Sequence, residues 1–345
     1  MITANAMRQT ATGLPASRYS TVNEKILVIH QGALGDVILS FQALRSLKRE
    51  RNASMALLCK DQVGRVAHEF KIVDAIFPIE SGRFSRLFSN DMGHDMRDFV
   101  NGYDLIVLIG FSQGMEGTIK QNYGGPVYRI TPRPSAKEES HVAVHLIRQL
   151  RTRGLLRNRK SEIARTISCP SCPAGDPGKR EPTGNVLLIH PGAGSKRKRW
   201  PLQNFIEVAA ATRQMPLTEV AFVIGPAETD LLPRMTKGAQ GRFSVHHVED
   251  LAQVMALMKA SRCFVGNDSG LTHLAAFKGL PTVAVFGPSS PKRWWPVGGD
   301  TAVLRGDADC IPCFELAETN CDNPQCLNGV SVDMVLEAIR NFWTI

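Results

Sequence analysis

The sequence predicts an α/β protein made of two successive domains, each with a parallel sheet. Its 345 residues exceed what one ordinary core holds and suit two domains of about 150 residues each. Short apolar, β-branched runs alternate with longer amphipathic stretches, as in parallel sheets covered by helices on both faces. One phrase also occurs twice: an apolar run, a His and a Gly-rich turn form KILVIHQGALGD at 25–36 and NVLLIHPGAGS at 185–195.

The composition describes a globular protein, with 43% hydrophobic and 21% charged residues. No run approaches the roughly 20 apolar residues of a membrane span, and the N-terminus lacks a signal-peptide core. We therefore expect a cytoplasmic protein with a disordered leader over residues 1–24. The net charge of +9 favours an anionic partner, either a phosphorylated substrate or the cytoplasmic membrane surface. The basic stretch 148–160 is interpreted as a solvated helix end, with a binding patch as the slightly less favoured alternative. No nucleic-acid motif accompanies it, so we expect no nucleic acid.

The order of elements repeats between the two halves. The Pro- and Gly-rich stretch 169–184 lacks periodicity and is predicted to be a linker. It separates domains at 25–168 and 185–330, and the apolar stripe at 331–345 predicts a final helix. The predicted strands are 26–30, 55–59, 75–79 and 105–109, then 186–190, 220–225, 263–266 and 282–286. Two Rossmann-like domains follow, with parallel sheets facing across a cleft at the carboxyl ends of their strands.

The first βα turn, GALGD, contains two glycines and an acid. Gly32 and Gly35 allow a tight bend and let a substrate approach the backbone. Asp36 lies in the first turn of the following helix. It either complements the positive helix end, worth about 0.3–1 kcal/mol, or acts as a general base facing the cleft. The turn does not match GxGxxG, so a dinucleotide fits poorly.

The second turn, PGAGSKRKRWP, predicts a diphosphate site. Gly194 and Ser195 offer backbone N–H groups and a hydroxyl, and four cations follow at 196–199. The P-loop order is absent, so ATP hydrolysis is not implied. A solvated basic loop is the alternative, which we consider less favoured than phosphate binding.

A third turn, NDSGLTHLAA, opens a helix after an apolar strand. Asp268 is either an ordinary helix cap or an acceptor for sugar hydroxyls, and the helix start offers N–H groups to a ligand. His273 fits best inside the helix core, with a ligand contact as the alternative.

The cysteines suggest a structural metal site. Cys310, Cys313, Cys321 and Cys326 have the number of ligands that zinc or iron takes, although their spacing departs from CxxC…CxxC. In a reducing cytoplasm a metal is favoured over disulfides, and unligated thiols remain the alternative. A separate CxxC, Cys169 to Cys172, lies in the predicted linker.

Taken together, GALGD, PGAGSKRKRWP, GPAE, NDSGLTHLAA and FGPSSP resemble glycosyltransferase family 9, the ADP-heptose transferases of lipopolysaccharide core assembly. The resemblance spans about residue 25 to the C-terminus. It implies the GT-B fold, two Rossmann-like domains around a cleft, with the acceptor bound by the first and the nucleotide sugar by the second. In such folds the last helix crosses back, so 331–345 is expected to pack on the first domain.

The resemblance also implies roles for individual residues. Asp36 matches the family's catalytic base, Lys198 its diphosphate-binding lysine, and Glu228 the acid beside the nucleoside. Where the family often has Thr in the phosphate turn, this chain has Ala193, Gly194 and Ser195. The donor-binding helix start is matched by Asp268, Ser269, Gly270, Leu271 and His273.

The implied reaction is a single inverting displacement that needs no cofactor or catalytic metal. Asp36 would deprotonate a sugar hydroxyl while Lys198 and the helix N-termini stabilise departing ADP. Gly32, Gly35, Arg83 and Arg86 are the acceptor-side candidates, and Arg97, Arg129 and Arg133 are further cations that could meet an anionic, lipid-linked saccharide. The alternatives are an NAD-dependent dehydrogenase, a nucleotide-binding module without turnover, a protein acceptor or another nucleotide sugar.

Overall fold

The computed structural model describes residues 23–89, 92–157, 184–213, 219–239, 241–310, 312–316, 321 and 323–343. The expected leader lies outside these residues except for its last two positions. The expected linker, with Cys169 and Cys172, lies outside them except for Gly184.

The first sheet is parallel, with strand order β3-β2-β1-β4-β5. Its central strand β1 carries the first copy of the repeated phrase, and Ile26 to Ile29 are fully buried, as a strand covered on both faces requires. The strands are β1 Glu24–His30, β2 Ala53–Cys59, β3 Ala75–Pro78, β4 Leu105–Ile109 and β5 Val127–Ile130.

The second sheet is also parallel, with order β11-β10-β9-β6-β7-β8. The second copy of the phrase supplies β6 beside β9, where the strand order reverses and ligands of such sheets bind. The strands are β6 Val186–His190, β7 Glu219–Ile224, β8 Ser244–His247, β9 Ser261–Asn267, β10 Thr282–Phe286 and β11 Thr301–Arg305. The α/β fold with parallel sheets is therefore confirmed.

Helices connect the strands of each sheet. In the first domain they are α1 Leu34–Glu50, α2 Asp61–Glu69, α3 Gly93–Asn101, α4 Gln113–Asn122 and α5 Val142–Thr152, with a 3-10 helix at Gly82–Phe88. In the second they are α6 Leu202–Thr212, α7 Leu232–Ala239, α8 Leu251–Lys259, α9 Gly270–Phe277, α10 Pro291–Trp294, α11 Gln325–Asn328 and α12 Val332–Trp343, with 3-10 helices at Lys196–Lys198 and Pro226–Leu231.

The two domains meet along α1 and α9. Phe277 of α9 packs edge-on against Phe41 of α1, with ring centroids 5.0 Å apart, and against Phe70, 5.1 Å away. These contacts join the apolar interiors of the two domains, so their relative orientation rests on buried aromatic packing.

The final helix departs from expectation. We expected 331–345 to pack back on the first domain. Instead α12 packs on α6, β10 and β11 of the second domain. Its buried residues Val335, Leu336 and Ile339 join the same apolar cluster as Trp200 and Phe205. Three apolar positions on one face of α12 thus complete the second domain's own core, which leaves this face unavailable to the first domain.

Across the part of the chain that the structure describes, no helix combines the length and the apolar character that crossing a bilayer demands.

Candidate functional site

The first turn is shaped by the histidine that ends β1. His30 is buried, and its Nδ1 accepts a hydrogen bond from the Gly32 N–H at 3.0 Å. Burial lowers the pKa of His30 to about 4, so the ring is neutral near pH 7 and can accept this bond. The His of the repeated phrase therefore holds the glycine turn in place, a role that we did not assign from the sequence.

Asp36 lies in the first turn of α1 and bonds back to the backbone of the residue that precedes the helix. Its Oδ2 accepts a hydrogen bond from the Ala33 N–H at 3.1 Å. A Cβ added at Gly32 would lie 2.7 Å from the Asp36 Cβ, so only glycine leaves room beside this carboxylate. A carboxylate has lone pairs beyond the one that accepts this bond, so Asp36 can accept a further donor.

The start of α1 touches the start of α9 directly. A Cβ at Gly35 would lie 3.0 Å from His273 Cδ2, and one at Gly270 would lie 2.9 Å from the Leu34 Cβ. Two positively polarised helix ends, one from each domain, therefore meet at the carboxyl edges of the two sheets. Through this contact Gly35, the neighbour of Asp36 in the chain, lies against His273 of the second domain.

Lys198 and Asp268 form a largely buried ion pair at this junction. Lys198 Nζ lies 2.8 Å from Asp268 Oδ2, and His273 Nε2 lies 3.8 Å from Asp268 Oδ1. Burial alone would raise the pKa of Asp268, but the nearby His273 ring and the charge of Lys198 outweigh it and hold the pKa far below its usual range. The structure thus brings together three residues predicted from two separate motifs.

Phe314 covers the same lysine. Lys198 Nζ lies 4.1 Å from the centroid of the Phe314 ring, in cation–π geometry. Phe314 lies between two of the candidate metal cysteines, 116 residues beyond Lys198, so no local sequence signal could have joined them.

The second turn is held from behind by Asn267. This fully buried side chain donates to the carbonyls of Pro191 and Gly192, at 2.9 and 3.1 Å, and accepts from the Trp200 N–H at 2.9 Å. It fixes both ends of the PGAGSKRKRW loop. The sequence shows Asn267 only as part of a motif. Its side chain donates two hydrogen bonds and accepts one, which an amide can do.

Glu228 is buried against this loop. Its Oε2 accepts from the Gly225 N–H at 3.0 Å and lies 3.7 Å from His190 Nε2. Burial alone would raise the pKa of Glu228, but the neighbouring His190, the Gly225 N–H and the charge of Arg199 lower it overall. A Cβ at Gly192 would collide with the Glu228 side chain, so this glycine is required by the protein itself.

The remaining donor-side candidates differ in environment. Ser269 caps α9, with its Oγ 3.4 Å from the Thr272 N–H. Ser195 caps the short helix at Lys196–Lys198. A Cβ at Gly194 would meet no described atom within 4 Å. Leu271 is partly buried and packs against the apolar core.

The acceptor-side arginines lie on two parts of the first domain. Arg83 and Arg86 are exposed on the 3-10 helix after β3, and Arg83 stacks over the Phe99 ring at 5.1 Å. Arg129 is bound to Glu116 at 2.5 Å. Arg133 follows β5 and stacks over the exposed Phe111 at 5.4 Å.

The four C-terminal cysteines do not form the expected metal site. They line a cavity of about 650 Å³ at the ends of β10 and β11, shared with Arg197 and Arg305. Within the described ranges, however, no three Cys, His, Asp or Glu side chains are placed to hold a metal ion. Arg197 donates to Cys313 Sγ at 3.6 Å, and burial raises the pKa of Cys326, which disfavours the thiolate that a metal binds. The residues as placed therefore do not fit a metal.

Comparison with known proteins shows what the chain is similar to. The family model of glycosyltransferase family 9 (heptosyltransferase) matches residues 170–322. The lipooligosaccharide heptosyltransferase 2 of Haemophilus ducreyi is 25% identical over 331 residues, covering 81% of this chain and 88% of that protein.

Two solved structures share the fold. A family 9 glycosyltransferase from Veillonella parvula aligns with a TM-score of 0.72 and 17% identity, covering 93% of this chain and 97% of the other. The E. coli ADP-heptose lipopolysaccharide heptosyltransferase II aligns with a TM-score of 0.67 and 21% identity, covering 93% and 98%. The GT-B arrangement of two Rossmann-like domains is thereby confirmed. The resemblance found in the motifs is confirmed over residues 170–322, where the chain matches the family 9 glycosyltransferase (heptosyltransferase) model.

Proposed function

We propose that the protein transfers a heptose from ADP-heptose to a hydroxyl of a lipopolysaccharide-core-type acceptor, with inversion at the anomeric carbon. The observation that carries the proposal is the junction of the two helix starts. Gly35, which precedes Asp36, lies there against His273, and His273 Nε2 lies 3.8 Å from Asp268 of the Lys198–Asp268 pair. We therefore propose that Asp36 and this pair serve one site. A sugar bound between them would have a base on one side and a cation on the other.

On the donor side, Lys198 and the start of α9 stabilise the diphosphate as it departs. The Lys198 ammonium is already oriented by Asp268 and Phe314, so little reorganisation accompanies the build-up of charge. Gly194 and Ser195 offer backbone N–H groups to the phosphates, with no metal needed to neutralise them. Glu228 faces the nucleoside. The name of the E. coli relative, which specifies ADP-heptose, supports the choice of donor.

On the acceptor side, Asp36 accepts the proton of the attacking hydroxyl. Its Oδ2 is fixed by the Ala33 N–H, which orients the carboxylate without neutralising it. Gly32 and Gly35 keep the approach open. Arg83 and Arg86, with Arg133, attract an anionic saccharide, and the enzyme works at the cytoplasmic face of the membrane where such lipid-linked acceptors are made.

Calorimetric titration with ADP, UDP, GDP and NAD tests the donor assignment. We expect selective ADP binding that Lys198→Ala weakens by about tenfold or more, as removal of a largely buried charged contact would. Lys196→Ala is the matched control, since it removes the same charge from the same turn at a position that is 81% exposed. Preference for UDP or NAD, or equal effects of the two substitutions, would contradict the donor assignment.

A transfer assay with ADP-heptose and an isolated core acceptor then tests the reaction. ADP binding without transfer to any saccharide would support a nucleotide-binding module in place of an enzyme of this specificity.

A further inference from the structure

Arg293 connects the two domains through backbone carbonyls. It extends from α10 of the second domain and is only 4% exposed. Its guanidinium donates to the carbonyl oxygens of Ser135 at 2.6 Å, Pro134 at 3.0 Å and Glu138, all on the segment between β5 and α5 of the first domain. Three acceptors from one segment match the planar fork of Arg and no other side chain.

The charge of Arg293 is balanced by a residue of the segment 310–326, which contains the four C-terminal cysteines. Glu315 Oε2 lies 2.8 Å from Arg293 Nη2, and both side chains are largely buried. Loss of either partner leaves a charge in a poorly solvated site, so the two are held together.

Glu315 is the direct neighbour of Phe314, the residue that covers Lys198. The Phe314 N–H donates to the Pro288 carbonyl at 3.0 Å, which fixes the backbone between the two side chains. Two consecutive residues therefore contact two different sites. Phe314 lies over Lys198, and Glu315 pairs with Arg293 at the domain interface.

We infer that Arg293 is a positioning residue that couples docking of the two domains to the geometry of the donor site. When the carbonyls of 134–138 engage Arg293, Glu315 is held, and Phe314 is held over Lys198. When the domains separate, Arg293 loses its carbonyl partners, Glu315 is held less firmly, and the contact of the Phe314 ring with Lys198 weakens. The inference rests on the proposed function, because it assigns Lys198 to the donor diphosphate.

ADP affinity in a double-mutant cycle tests the coupling. We expect Arg293→Gln and Phe314→Leu each to weaken ADP binding by roughly five- to tenfold, the size of a partly desolvated cation–π contact. The double variant should bind ADP about as tightly as the weaker of the two single variants, because both substitutions disturb the same lysine. Arg293→Lys keeps the charge but reaches fewer acceptors, and its affinity should lie between those of wild type and Arg293→Gln.

The matched control is Lys292→Gln, which removes one charge from the same helix and the same interface. Lys292 pairs with Glu139 at 3.0 Å with both side chains more than 70% exposed, and ADP affinity should stay within about twofold of wild type. If Arg293→Gln does not fold, Glu315→Gln replaces it as the test, because it removes the ion pair and keeps the arginine. We expect Glu315→Gln to weaken ADP binding to the same extent.

Unchanged ADP affinity in the Arg293 and Glu315 variants, or additive losses in the cycle, would overturn the coupling and leave the proposed function intact. A wild-type protein that binds no ADP would overturn the proposed function, and the coupling with it.

Discussion

Asp36 has one carboxylate oxygen bonded to the Ala33 N–H, and in the proposed reaction the carboxylate takes the proton of the acceptor hydroxyl. Asp36→Asn keeps an oxygen for the capping bond and removes the base. We expect the transfer rate to fall by about 100-fold or more, within the range typical of general-base catalysis, while ADP affinity changes little. Single-turnover transfer with ADP-heptose measures the first quantity and calorimetry the second.

Asp95 supplies the control for this substitution, since it also lies in the first turn of a helix, α3. Asp95→Asn alters a helix-end charge without touching the site, and transfer should remain near the wild-type rate. If Asp36→Asn stayed within a few-fold of wild type, Asp36 would be no more than a helix-capping acid.

Two glycines of the second turn separate folding from ligand binding. Gly192→Ala drives a methyl group into the Glu228 side chain, so we expect it to lower the free energy of unfolding by about 1–3 kcal/mol. Gly194→Ala adds its methyl group where no described atom lies within 4 Å, so stability should be unchanged or slightly higher. Chemical denaturation checks both values.

Titration of the Gly192→Ala and Gly194→Ala variants with ADP completes the comparison. Under the proposed function, Gly194→Ala should weaken ADP binding although the fold is intact, because the added methyl group occupies the space that the phosphates approach. Undiminished affinity would remove Gly194 from the donor site.

At the scale of elements, the approach of α1 to α9 depends on the absence of side chains. Gly270→Ala would bring a Cβ to 2.9 Å from that of Leu34 and push the two helix starts apart. We expect transfer to fall by about tenfold or more, because small displacements of reacting groups are costly.

Gly117→Ala in α4 is the comparison, since its Cβ meets nothing within 4 Å. It should raise the free energy of unfolding by about 0.5–1 kcal/mol, through helix propensity alone, and leave transfer unchanged. Equal activities of the two variants would show that the helix contact does not matter for transfer.

The elements also show what the sequence can and cannot reveal. All eight predicted strands are present with boundaries shifted by at most two residues, because continuous apolar runs identify strands buried on both faces. Three strands escaped prediction: β5 as VYRI, β8 as SVHH and β11 as TAVLR. Each ends its sheet and is only partly buried, so its apolar signal is weak.

The site divides in the same way. Turns that follow neighbouring central strands meet at the carboxyl edge of their sheet, so Lys198 and Asp268 could be grouped from the order of strands. Asp36, which follows a strand of the other sheet, could be added through the family resemblance. Phe314 and Arg293 could not, because their partners lie far away along the chain and are reached only through tertiary packing. The final helix was misassigned because its apolar stripe shows that it is buried without showing against which domain.

For the whole molecule, two buried histidines link stability to pH. Burial lowers the pKa of both His30 and His141 to about 4, from 6.5 in the unfolded chain. The unfolded chain therefore binds protons first as the pH falls, and the folded state loses stability between about pH 6.5 and 4. Over this pH range we expect the free energy of unfolding to fall by an amount on the order of a few kcal/mol for each histidine. Above about pH 6.5 this contribution to stability is complete.

Urea denaturation between pH 7.5 and 4.5 measures this slope. His30→Asn keeps an acceptor for the Gly32 N–H, and His141→Gln keeps a donor for the Trp295 carbonyl, which His141 Nε2 meets at 2.9 Å. The double variant should show a much flatter pH dependence. An unchanged slope would mean that other groups account for it.

The placement of α12 has a consequence for how the molecule could be divided. Because the last helix completes the second domain, the elements described for the first domain all lie before residue 158 and those described for the second all lie after residue 183, which leaves the stretch 158–183 between them. A chain cut in that stretch yields two fragments, each with an uninterrupted sheet and its own helices. Mixed together, they should rejoin through Phe277 against Phe41 and through Arg293 against the 134–138 carbonyls. Reconstituted transfer from two separately purified halves would then report directly on the strength of the domain interface.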